Sequence, residues 1–245
     1  MSAITAITAQ NTLGVSAVHT IPPEMILAQV RAVVGDIGVD VVKVGMLGTV
    51  DTVMAVAQAL DELPDGTPVV VDPVMVAESG AQLLDPDAQS ALVAEILPRA
   101  TVLTPNLPEA RALARHGEGK PLGDGEEHDV NTLARAVLAL GPAIVVLTGG
   151  HRRQAVDLFL QAGSPGQLVE IPGERHPDGA SHGSGCTHSS VLAAELALGR
   201  EPLQAAFAAR AIAGAAVADG LRDVGEGPGP VDAIGLGRMR SRQGR

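Results

Sequence analysis

The chain has 245 residues, enough for one substantial domain, and 46% of them are hydrophobic while only 1% are aromatic, so the core must be aliphatic. A formal net charge of −11 argues against nucleic acid as a partner, because phosphate backbones call for Lys and Arg, and without Trp or Tyr there is no base-stacking platform. The single cysteine excludes an internal disulfide, no apolar run reaches the length of a membrane span and nothing resembles a secretory signal, so the expectation is a cytoplasmic protein with no membrane partner.

In chain order, residues 4–10 read as a strand and 23–35 as a helix, with Pro22-Pro23 at its start and Met25, Ile26, Val30, Val33 and Val34 at helical spacing. A short buried strand follows at 39–44, a helix at 49–63, a strand at 68–71, a helix at 87–96 and a strand at 101–104. Helices are predicted at 108–115 and 130–140, separated by a polar, Gly-rich loop at 117–129, and then a strand at 143–147. Such alternation predicts an α/β fold, a mostly parallel sheet with helices on both faces. Strands at 155–160 and 168–171, separated by Gly163-Ser164-Pro165-Gly166, predict an antiparallel hairpin on the sheet edge. Helices at 187–198 and 202–219 and a loop at 225–230 complete a single domain over 1–237, with a basic, disordered tail at 238–245.

Ligands of an open parallel sheet bind outside the carboxyl ends of its strands. The five predicted strands end on Gln10-Asn11-Thr12, Gly45-Met46, Asp72-Pro73, Asn106 with Glu109, and Gly149-Gly150, a small, polar or acidic residue in each case. Asn106 and Glu109 share one face of a helical turn, which fits both a simple helix cap and a carboxylate holding Mg²⁺ or a metal-bound water. Asp72 is equally compatible with a turn into Pro73, and the glycine pair with a close backbone approach to triphosphate or with a turn into the hairpin. Met46 fits either the core or a flat contact with a ligand ring. His176, His182 and His188 match no familiar zinc spacing.

The run His182-Gly183-Ser184-Gly185-Cys186-Thr187-His188 places the lone cysteine after two glycines where a helix begins. Backbone N–H groups and the helix dipole favour an anion there, and would lower the pKa of a thiol placed among them.

The chain resembles the hydroxymethylpyrimidine/phosphomethylpyrimidine kinases of thiamine biosynthesis, members of the ribokinase-like superfamily. The matching stretches are Thr8-Ala9-Gln10-Asn11-Thr12, Lys43-Val44-Gly45-Met46-Leu47, Asp72-Pro73-Val74-Met75-Val76-Ala77 with Ser79-Gly80, Thr104-Pro105-Asn106-Leu107-Pro108-Glu109-Ala110, Gly149-Gly150-His151, Gly183-Ser184-Gly185-Cys186-Thr187 and residues 225–231. The resemblance implies ATP- and Mg²⁺-dependent phosphorylation of 4-amino-5-hydroxymethyl-2-methylpyrimidine and then of its monophosphate. It implies Cys186 as catalytic base, Gly183, Ser184 and Gly185 as anion hole, and Gln10 and Met46 as contacts to the aminopyrimidine. Asn106, Thr148, Gly150 and Thr187 would serve ATP and its phosphates, and Glu109 and Asp72 the metal. A homodimer is implied too. Pyridoxal kinases of the same superfamily share several of these motifs and are the alternative, with a weakly active pyrimidine-binding form a third reading. Three departures stand out. The family's first strand and its Asp-Pro-Ser-Gly-Gly-Ala-Gly loop have no counterpart, so the expectation is a mis-set start or a shortened form. Glu78 and Thr148 occupy positions where lysine is frequent.

Overall fold

A computed structural model describes residues 1–77, 79–116, 130–149, 155–163, 168–177 and 179–236. Glu78, Gly150, His151, most of the 163–166 turn, the 117–129 loop and the 238–245 tail, all named above, lie outside the described residues.

Two sheets form. A six-stranded sheet has the order β3 (Val42–Val44), β4 (Val69–Val71), β5 (Val102–Leu103), β6 (Ile144–Leu147), β7 (Asp157–Gln161), β8 (Val169–Ile171). Its first four strands are parallel; β7 and β8 run antiparallel, as the edge hairpin was expected to. β1 (Ala6–Gln10) and β2 (Val15–Thr20) make a separate two-stranded antiparallel sheet with a register shift at Ala9/Gln10. The strand expected at 4–10 therefore exists but does not belong to the parallel sheet, and β2 has no counterpart in the sequence reading. The physical reason is burial: β2 is exposed along nearly its whole length, so its apolar pattern carries no inward face. The signal that was available is the Asn11–Gly14 turn, where Asn11 Oδ1 accepts the N–H groups of Leu13 and Gly14 at 2.9 and 3.0 Å.

The helices are α1 (Pro23–Asp36), α2 (Val50–Asp61), α3 (Pro86–Ala91), α4 (Leu107–Ala114), α5 (Val130–Leu138), α6 (Ser184–Ala197) and α7 (Pro202–Ala218). α3 runs on through a wider π turn (Leu92–Ile96) and a tight 3₁₀ turn (Leu97–Arg99) that includes Pro98. None is long and apolar enough to cross a membrane.

Strand residues alternate between two cores. Val69, Val71, Leu103, Val145 and Leu147 pack on one face with residues of α1 to α5. Val70, Val102, Ile144, Val146 and Phe159 pack on the other with Leu192 and Ala193 of α6 and Ala205, Ala206 and Ala209 of α7. Burial on both faces explains the unbroken Val69-Val70-Val71 run of a central parallel strand.

Candidate active site

Four parallel strands deliver their carboxyl ends to one edge. β4 ends at Val71, and the N–H of the next residue, Asp72, still bonds to Val44 O of β3 at 2.9 Å. The Asp72 carboxylate is buried. Its Oδ2 accepts the Ser189 hydroxyl of α6 at 2.9 Å and lies 3.4 Å from Nζ of Lys43 on β3. This bond spans 117 residues of sequence and fixes α6 against the sheet edge. Lys43 curls over Gly45, where an added Cβ would lie 2.9 Å from its Nζ. Met46 is half-buried, and its carbonyl accepts the Thr5 hydroxyl below the β1–β2 hairpin at 2.8 Å.

Past β5, Asn106 caps α4. Its Oδ1 accepts the Glu109 N–H at 2.9 Å, and the Glu109 carboxylate accepts the Asn106 N–H at 2.9 Å, a reciprocal capping box. Capping is thus real, yet it does not exhaust Glu109, whose side chain is turned into the protein with the residue only 8% exposed. Burial first, then the charge of Asp72, push its carboxyl up to about 7, against the pull of N–H groups from Asn106 and Met75. Past β6, Thr148 pairs in parallel register with Asn106, and its N–H bonds to Pro105 O at 2.9 Å. Gly149 follows, packed so closely that a Cβ would collide with the Val156 carbonyl.

α6 begins three residues earlier than its sequence suggests, so Cys186 lies inside the first turn rather than before it. Gly183 is the N-cap at φ +87°, a conformation that favours glycine. The Ser184 N–H turns back to Ser181 O and the Thr187 N–H bonds to Gly183 O, whereas the Gly183 and Gly185 N–H groups meet no acceptor among the described residues. The expected lowering of the cysteine pKa is not what the structure produces. Cys186 keeps exposed surface, but enough protein surrounds its sulfur that desolvation raises the thiol pKa, and Asp72 and Glu109 add to the rise; Lys43 and the residue's own N–H pull down without prevailing.

Asp72, Lys43, Glu109 and Cys186 therefore act on one another in one place. Gln10 stands apart on the exposed end of β1, with the Thr8 hydroxyl 3.5 Å from its amide oxygen. A chain of contacts still links its hairpin to the Gly183 turn: the Gly227 N–H donates to Thr12 Oγ1 at 3.3 Å, and His182 exchanges backbone bonds with Gly229 and Val231. Two residues without a sequence-level role are Lys43 and Ser189. The signal for Lys43 was a cation inside a buried strand two residues before Gly45-Met46. For Ser189 no local signal exists, because its partner is distant in sequence.

The two carboxylates suit a divalent cation: both are buried, and the Glu109 carboxyl is lifted in pKa first by burial and then by the charge of Asp72. Among the described residues no group of three or more His, Cys, Asp or Glu side chains gathers into a full cage. Two carboxylates fit an ion that keeps waters and shares ligands with phosphates, as Mg²⁺ does.

A family model described as phosphomethylpyrimidine kinase matches residues 1–232. The chain belongs to that family. It is 42% identical over 233 residues to the hydroxymethylpyrimidine/phosphomethylpyrimidine kinase of Rhizobium meliloti (strain 1021), covering 94% of this chain and 84% of the relative. The phosphomethylpyrimidine kinase structure from Clostridium difficile 630 superposes with a TM-score of 0.70 at 34% identity, covering 86% of this chain and 83% of that one. An ADP complex of Bacillus subtilis pyridoxal kinase superposes with a TM-score of 0.79, also at 34% identity, covering 96% of this chain and 86% of that one. Membership of this kinase family makes the protein a phosphotransferase with a small-molecule acceptor, and the α/β fold is the one its relatives share.

Proposed function

We infer that the protein transfers the γ-phosphoryl group of ATP to the hydroxymethyl group of 4-amino-5-hydroxymethyl-2-methylpyrimidine, and then phosphorylates the resulting monophosphate, in thiamine biosynthesis. The observation that carries this reading is the meeting of Asp72, Lys43 and Glu109 with Cys186 at the first turn of α6, in a chain matched to phosphomethylpyrimidine kinases over 232 residues. Phosphoryl transfer asks a protein mainly for positioning and for neutralisation of charge on the moving group. The Gly183 and Gly185 N–H groups, with Ser184 shaping the turn, face the transferred group, and Thr148, Asn106, Gly150 and Thr187 line the phosphates. Asp72 and Glu109 are the residues that would hold Mg²⁺ or its water. When bound, the ion would supply charge neutralisation for the phosphates. Cys186 Sγ, as the thiolate, would then accept the proton of the acceptor hydroxyl as its oxygen takes the γ-phosphoryl group and ADP leaves. Met46 packs on the pyrimidine and Gln10 bonds its amino group. A cleft of about 530 Å³ between Gly173 and Phe207 suits the nucleotide base.

Pyridoxal phosphorylation is the second reading, favoured by the closer superposition on a pyridoxal kinase, 0.79 against 0.70. Turnover of both acceptors by the purified chain with Mg²⁺ and ATP decides between them. The pyrimidine is expected to react faster, and a preference for pyridoxal overturns the assignment. In the same assay Cys186→Ala is expected to lower kcat by about 10²–10⁴-fold with Mg·ATP still bound. Full activity in that variant removes Cys186 from the base role. The implied homodimer is tested by sedimentation of the same sample.

A further inference from the structure

Asp157 opens β7 with no exposed surface. Its Oδ1 accepts the N–H of Gly149 at 2.7 Å and lies 3.8 Å from Nη1 of Arg210 on α7. Its Oδ2 lies 3.2 Å from Nε2 of His188 on α6, close enough for an ion pair but not aligned as a hydrogen bond. Arg210 also donates to Ala155 O at 2.7 Å and lines the 530 Å³ cleft beside Phe207. Both ring nitrogens of His188 and Nε of Arg210 are buried without a hydrogen bond among the described residues.

Apolar side chains of similar volume would often serve stability as well as such a buried polar set, so its position is the informative fact. The three elements it joins surround the nucleotide in the reading above: the Gly149 turn, the helix that opens with Gly183–Cys186, and the α7 wall of the base cleft. His188 lies one turn along α6 from Ser184, on the same face. We propose that Asp157, His188 and Arg210 are positioning residues for ATP, a buried brace that holds the Gly149 turn and the first turn of α6 at a fixed separation and ties both to the base cleft. This rests on the assignment of that edge as the nucleotide site.

Calorimetric titration of Mg·ATP into the whole protein tests it, with acceptor KM measured alongside. His188→Leu is expected to weaken Mg·ATP binding about tenfold while acceptor KM stays within about twofold. His188→Gln, which returns an N–H head to the same place, is expected to restore most of the affinity. Asp157→Asn keeps an acceptor for Gly149 but loses the charge, and is expected to match His188→Leu. Wild-type affinity in His188→Leu, no rescue by Gln, or equal weakening of both substrates overturns the brace. If His188→Leu fails to fold, the pair His188→Gln and Asp157→Asn decides: near-normal and weakened affinities respectively support it, and equal affinities overturn it. Because the readout is Mg·ATP binding, a wild-type protein that binds Mg·ATP but ignores the pyrimidine refutes the acceptor assignment alone. One that binds no Mg·ATP refutes the brace as well.

Discussion

Glu109 carries two tasks in one side chain, closing the α4 cap and presenting a buried carboxylate beside Asp72. Its carboxyl sits at about 7 in the fold against an ordinary 4.5. A raised acid pKa means the folded state holds more protons than the unfolded chain between those values. Stability from this group is therefore full below about pH 4.5 and is lost as pH rises through about 7, a change of about 3 kcal/mol. Glu109→Gln retains the cap geometry and is expected to flatten that slope in urea unfolding between pH 4.5 and 8; an unchanged slope would show that burial does not perturb Glu109. The same local field governs Cys186. Removing the Lys43 charge, which pulls the thiol down, by Lys43→Met is expected to move the thiol pKa further up, read as a later midpoint for alkylation by iodoacetamide. A midpoint that stays or falls contradicts the geometry. The sequence offered Cys186, Asp72 and Glu109 as candidates but not the direction in which they push one another, because helix-dipole reasoning sees only the local turn and not carboxylates arriving from β4 and α4.

At the scale of elements, glycines separate backbone necessity from mere absence of a side chain. Gly149 is wedged against the Val156 carbonyl, so Gly149→Ala must shift the β6 exit turn. A cost of about 1–3 kcal/mol is expected, together with weaker Mg·ATP binding. Gly185 has open space around its Cβ position and sits in the first turn of α6, so Gly185→Ala is expected to leave thermal stability unchanged or slightly higher. Equal melting temperatures for the two variants would refute the distinction. Most element positions were readable, since Pro23, Thr49, Asn106 and Pro202 punctuate the helices and β-branched runs mark the strands. The start of α6 was not, because its cap is a left-handed glycine with no capping side chain to announce it. Nor was β2, whose exposed residues follow no burial period.

Across the whole molecule, one sheet divides two aliphatic cores, and the hairpin of β1 and β2 lies outside both. Leu103, fully buried in the larger core, is expected to cost about 2–5 kcal/mol when cut to Ala. Ile7, 57% exposed on β1, is expected to cost well under 1 kcal/mol in the same denaturant series. Comparable losses would mean that the hairpin is part of the folding core. The amino-acid sequence by itself determined the alternation of strands and helices, the antiparallel edge and the small, polar or acidic residue after each parallel strand, because these follow from short-range periodicity and turn chemistry. Only the tertiary structure decided that the first strand leaves the parallel sheet, that Ser189 and Lys43 converge on Asp72, that the Cys186 thiol is pushed up rather than down, and that Asp157 meets His188 and Arg210. Those outcomes depend on burial and on through-space charge between residues far apart in the chain, which no local pattern records.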